Sequence, residues 1–115
     1  LWGESLDFAH HQCSLNGFQT EVDADGAMRW VIAHRDPGVA NWIDTTGHRE
    51  GYMSPRWTYT ETPPPSLWPT ISARVVPLEA VLDQLPPGTR RIPPEERAER
   101  MRIRSEHVKR RYRAF

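Results

Sequence analysis

Gln19-Thr20-Glu21-Val22-Asp23-Ala24-Asp25-Gly26-Ala27-Met28-Arg29-Trp30-Val31-Ile32-Ala33-His34 is the stretch on which the fold turns. Its middle, Asp23-Ala24-Asp25-Gly26, has the Asp-Gly pair that supplies the positive φ of a tight hairpin turn. Gln19 to Val22 leads into the turn and Met28 to His34 leads out. The returning run is rich in β-formers and almost continuously apolar, so the expectation is a central strand covered on both faces.

Working outward, residues 5 to 15 alternate loosely, with Leu6, Phe8, Cys13 and Leu15 framing His10-His11-Gln12, and predict a strand before the Asn16-Gly17 turn. Asp36-Pro37-Gly38 ends the returning strand, since Pro cannot donate to a ladder. Tyr52 to Thr60 predicts another strand, which Pro55 places at an edge or a bulge. Thr62-Pro63-Pro64-Pro65-Ser66 is a polyproline-like connector, followed by a short strand at Ser72 to Val76. Pro77 to Leu85 predicts a short helix stopped by Pro86-Pro87-Gly88.

A last helix opens with Pro93-Pro94-Glu95-Glu96 and closes with Lys109-Arg110-Arg111, acids and bases each at the helix end that favours them. Its thin apolar stripe is Ala98, Met101, Val108, Tyr112 and Phe115, interrupted by Ser105. The fold class expected is mainly β, an antiparallel sandwich or partial jelly roll over residues 1 to 76. A short helix and Pro-rich stop over 77 to 88 and a basic amphipathic helical tail over 89 to 115 complete it.

The chain has 115 residues and a formal charge of zero, and this average hides a division. Residues 1 to 88 hold five Arg against eleven Asp and Glu, whereas residues 89 to 115 hold ten Lys and Arg against four Glu. An acidic body with a basic tail fits nucleic-acid or membrane contact, or a tail that docks on its own body or on a sister subunit. The tail carries no base-reading motif or aromatic platform, so nucleic acid is the less favoured partner. No transmembrane segment is visible in this part of the sequence. The single cysteine, Cys13, excludes an internal disulfide framework. A reduced cytoplasmic setting is compatible, and no cofactor is named by the sequence. The opening Leu1-Trp2-Gly3-Glu4 has neither initiator Met nor leader, and the expectation is a piece of a longer protein whose missing N-terminal part would hold any targeting signal.

Between strand-like runs, residues 34 to 50 form a dense polar loop of the kind chains use for function. His34, Asp36 and His48 are candidate metal ligands, two imidazoles and a carboxylate being the facial set of non-haem iron sites. The alternative is structural: His34 at a strand end, Asp36 in an Asx turn, and His48 paired with Glu50 or Asp44. Asp44 and His48 are candidate catalytic partners, an acid orienting an imidazole. Against that stands a loop in which Asn41, Asp44 and the threonines satisfy backbone groups while Trp42 plugs the core. Arg35, Asn41, Trp42, Arg49 and Arg56 are candidate ligand contacts, although an acidic body favours internal ion pairs for the arginines. Cys13 with His10 or His11 offers a nucleophile, but a thiol on a strand is more often a small buried apolar group. Of the five tryptophans, most are assigned to the core, and Trp68 to an interface.

Asp-Ala-Asp-Gly at 23 to 26, Asp36-Pro37-Gly38, Asn41-Trp42, Gly51 and Arg56-Trp57, in this order and spacing, resemble the C-terminal half of bacterial proteins grouped as domain of unknown function 1214. The resemblance covers roughly residues 18 to 60. Asn41 to Gly51 is similar to a subgroup that ends in this domain and a basic helical tail, whereas His48 and Arg49 are often lacking in the wider family. The resemblance implies a sandwich or jelly-roll fold and fragment status, and no activity. The expectation is a C-terminal structural or ligand-binding β module of a larger bacterial protein. The alternatives are a metal-dependent enzyme domain and an oligomerisation module acting through the tail helix.

Overall fold

A computed structural model describes residues 3–112, so Trp2, Arg113 and Phe115 lie outside the described residues. Regular structure is sparse. Two three-residue strands, β1 (Val31–Ala33) and β2 (Trp42–Asp44), pair in parallel with Val31 opposite Trp42 and Ala33 opposite Asp44. Two 3₁₀ segments, Pro65–Leu67 and Leu78–Gln84, precede one α-helix, α1 (Pro94–Arg111).

This corrects the mainly β expectation: the described residues form neither an antiparallel sandwich nor a jelly roll. The Asp23 to Gly26 turn does form, with Gly26 at φ +82, Gly26 N bonded to Asp23 O and Asp23 N to Ala27 O. No ladder grows from it, because Asn41 intervenes between the two arms. The Asn41 side chain accepts Glu21 N at 2.8 Å and donates to Glu21 O at 2.7 Å and Arg29 O at 3.0 Å, replacing the cross-strand bonds by amide bonds. β1 therefore pairs with the segment that follows it. It is covered on one face only, with Val31 and Ala33 buried and Ile32 exposed. The connection His34 to Asn41 is shorter than ordinary parallel crossovers, and only three residues pair.

The expected strand at 5 to 15 is broken by a turn, in which the Asp7 carboxylate accepts Ala9 N and His10 N, each at 3.2 Å. Its one strand-like bond is Asp44 N to Gln12 O at 2.9 Å. Residues 52 to 60 and 72 to 76 form no strand and have no ladder partner among the described residues. The expected short helix is 3₁₀ rather than α, Pro77 starting it and Pro86-Pro87 forcing Leu85 into extended geometry at ψ 150. Its apolar positions Leu78, Val81, Leu82 and Leu85 pack on Val31, Ala33, Val39 and Trp42.

That core is small, and a second layer of buried polar side chains holds what apolar contact cannot: Gln12, Thr20, Asn41 and Arg97. Val39, which is 1 % exposed, forms an isolated bridge with Arg91. The bridge brings the segment before α1 alongside the loop between the strands, through Ala40 N to Arg90 O and Ile92 N to Gly38 O, both 3.0 Å.

Candidate functional site

Residues 34 to 50 lie between the N-terminal segment and α1, and Arg97 is the side chain that joins all three. α1 begins at Pro94 with Glu95 and Glu96 in its first turn, where their charge suits the helix N-terminus. One turn on, Arg97 points into the body and is buried. Its Nε donates to Asp36 Oδ2 at 2.8 Å and its Nη1 to Gln12 Oε1 at 3.1 Å, while Nη2 donates to Asp36 Oδ1 and to Val39 O. The guanidinium also lies over the Trp42 ring, 5.1 Å from its centre. A planar fork suits this set of partners, and a lysine would reach fewer of them.

Gln12 passes the arrangement on. Its Oε1 accepts from Arg97, and its Nε2 donates to Trp42 O at 2.6 Å. Trp42 is buried, its Nε1 donating to Ala33 O at 3.0 Å across the β1–β2 pair. Asp36 also makes the Asx turn, accepting Gly38 N at 2.8 Å.

Beside Gln12 an imidazole pairs with a loop carboxylate. His11 Nδ1 donates to Asp44 Oδ2 at 2.7 Å, with the His11 side chain 40 % exposed and Asp44 14 %. Asp44 Oδ1 accepts Thr46 N at 2.8 Å, so the carboxylate is fixed from both sides. This fixes one ring nitrogen of His11 and leaves the other directed away from the acid, as in carboxylate–imidazole pairs that move protons. Cys13, on the same segment, is partly buried, and burial pushes its thiol above the ordinary range, against nucleophilic use.

The sequence candidates are thus distributed differently from their spacing. Asp44 is paired with His11 and not with His48, whose backbone N–H bonds to Thr45 O while its side chain is exposed. His34 is exposed and Asp36 is engaged by Arg97. Among the described residues no three His, Cys, Asp or Glu side chains gather as a metal ion would need, so His34, Asp36 and His48 do not converge. Asn41 and Trp42 are buried, and their polar side-chain atoms bond to backbone groups. Arg35, Arg49 and Arg56 are exposed, and none forms an ion pair among the described residues. The ion pairs of the body form on other arginines. Arg29 takes Asp23 and Asp25, Arg90 takes Glu21, and Arg97 takes Asp36.

The basic tail is held in the same way. Glu96 accepts from Arg90 and from Arg100, each at 2.8 Å, and Arg100 also faces Glu21 at 3.8 Å. Arg104 donates to Ser14 O, and burial lowers its guanidinium from the usual range. The face of α1 that meets the body is therefore Arg97, Arg100, Met101 and Arg104, and the expected stripe member Ala98 is exposed.

No protein-family model, curated protein or solved structure matches this chain. Among the described residues, no helix is long and apolar enough to cross a membrane.

Proposed function

We propose that this chain is a structural module of a larger bacterial protein of the kind its Asp-Pro-Gly, Asn-Trp and Arg-Trp motifs resemble, with the 34 to 50 loop as the keystone between body and tail helix. The observation that carries this reading is Arg97, buried on the helix and satisfied by Asp36, Gln12, Val39 O and the Trp42 face at once. A loop whose acid, amide and indole are consumed in holding the fold serves architecture first. The test is near-ultraviolet circular dichroism of Trp42 and its neighbours in the parent protein, Arg97→Met and Arg97→Lys. Loss of the aromatic signal in Arg97→Met, with partial retention in Arg97→Lys, is expected. An unchanged signal in Arg97→Met overturns the keystone role.

A second reading rests on the 2.7 Å contact of His11 with Asp44. Here the fixed imidazole acts as a general base toward a ligand at the loop edge, with Asp44 orienting the ring. Hydrolysis of p-nitrophenyl acetate by the protein, compared with His11→Gln and with free imidazole, separates the two. A rate above free imidazole that is lost in His11→Gln supports proton transfer at this site, and a rate no higher than free imidazole dismisses it.

A further inference from the structure

A groove of about 250 Å³ lies between the N-terminal segment and α1, close to the lower size of ligand clefts, about 300 Å³. Leu15 and Phe18 from the segment and Ile103 from the helix give it apolar walls. Phe18 stands on a hydrogen-bonded turn: Asn16 Oδ1 accepts Phe18 N and Gln19 N, both at 3.0 Å, and Asn16 O accepts Thr20 N at 3.0 Å. The phenyl ring is nonetheless fully exposed, and Ile103 is 42 % exposed. A ring held out to water on a tied turn, beside a second open apolar side chain on the same groove, adds nothing to the core and leaves a surface for a ligand.

The charges in the groove are unequal. Glu21 lines it and is already held by Arg90 and, at 3.8 Å, by Arg100, which also pairs with Glu96. Arg104 has no carboxylate partner among the described residues. Its Nη1 donates to Ser14 Oγ at 3.3 Å and its Nη2 to Ser14 O at 2.5 Å, both neutral oxygens. A partly buried guanidinium with neutral acceptors alone keeps a charge that nothing offsets, and burial lowers it from the usual range.

We propose that this groove binds a small organic monoanion, a carboxylate on an apolar or aromatic body. The carboxylate sits on Arg104 and the body lies against Phe18, Leu15 and Ile103. An ionised carboxylate supplies the charge-assisted bonds that Ser14 cannot. Gln19 lines the same groove and keeps its Nε2 as a further donor, its Oε1 accepting Asn16 N at 3.0 Å. One negative charge balances Arg104, whereas a second would meet Glu21, so the groove selects a monoanion over a dianion. The site rests on neither the keystone role of Arg97 nor the pairing of His11 with Asp44.

The test is titration of the isotope-labelled full chain with phenylbutyrate and with its neutral counterpart phenylbutyramide, followed by amide NMR, in the parent protein, Arg104→Gln and Phe18→Asp. Phe18→Asp changes a side chain that the body does not cover. Saturable shifts at Leu15, Phe18, Gln19, Ile103 and Arg104 are expected with phenylbutyrate, and binding of the amide is expected to be about tenfold weaker. Arg104→Gln is expected to bring the acid down to the affinity of the amide. Phe18→Asp is expected to weaken the acid by about tenfold or more, since it removes the ring and sets a like charge against the carboxylate. Absence of saturable shifts at these residues in the parent overturns the proposal. So does an amide that binds as tightly as the acid, or acid binding unchanged in Phe18→Asp. Should Arg104→Gln lose its amide dispersion, the acid–amide comparison and Phe18→Asp decide the matter by themselves.

Discussion

The Arg97 guanidinium stacks over Trp42 while its Nε donates to Asp36 at 2.8 Å, so one side chain on the tail helix closes the loop between the two strands from above and from the side. Removing it leaves Gln12 Oε1 and Val39 O, both on buried residues, without their donor, and frees Asp36, which solvent reaches. Arg97→Met is expected to cost about 2 to 4 kcal/mol, the usual consequence of breaking a buried charged hydrogen-bond set from one side. Arg97→Lys is expected to recover part of it. Urea unfolding followed by fluorescence measures both, and a change under about 0.5 kcal/mol for Arg97→Met would show the contact to be incidental.

Trp42 joins the core to the strand pair, and its two contributions separate by substitution. Trp42→Phe keeps a ring under Arg97 and loses the Nε1 bond to Ala33 O, an expected loss of about 1 kcal/mol. Trp42→Ala removes the ring as well and is expected to lose about 3 to 5 kcal/mol. Thermal unfolding of the two variants checks the order, and equal losses would assign the whole effect to the hydrogen bond.

The Asp23 to Gly26 turn carries its own acid sensitivity. Arg29, hydrogen-bonded to Asp25, holds the Asp25 carboxyl down to about 2, with Ala27 N as a further donor. A carboxyl lowered in the folded state favours folding above its unfolded value of 3.8, and that contribution is lost as pH falls toward about 2. Carboxyl NMR titration is expected to find Asp25 below the other exposed acids. In Arg29→Gln it is expected to move up toward 3.8, and an unmoved midpoint would remove Arg29 as the cause.

Cys13 is expected to react slowly with a thiol reagent at mildly alkaline pH, because burial raises its thiol and shields it. After unfolding in urea the same thiol is expected to react at the rate of free cysteine. Reaction at that rate in the native protein would place Cys13 on an accessible edge.

Much of the local structure follows from local chemistry. Gly26 turns the chain where Asp-Gly stands, Asp36-Pro37-Gly38 closes an Asx turn, Pro86-Pro87 ends the 3₁₀ segment, and α1 runs from the residue after Pro93 to Arg111. Each depends on residues within a few positions of one another. The candidate pairs fared differently, since Asp44 and His48 are four apart and yet Asp44 meets His11, thirty-three residues away. No local signal marks that partner.

The sequence by itself determined the Asp23 to Gly26 and Asp36 to Gly38 turns, the proline stops, the tail helix and the division of charge between body and tail. Only the tertiary structure decided which charges meet, and it paired Glu21 with Arg90 and Asp36 with Arg97, partners far away in sequence. It also decided that Tyr52 to Thr60, a strand by composition, finds no ladder partner among the described residues. Turns and helix ends are satisfied by atoms a few bonds away, whereas a strand and a buried ion need a partner whose position depends on how the whole chain packs.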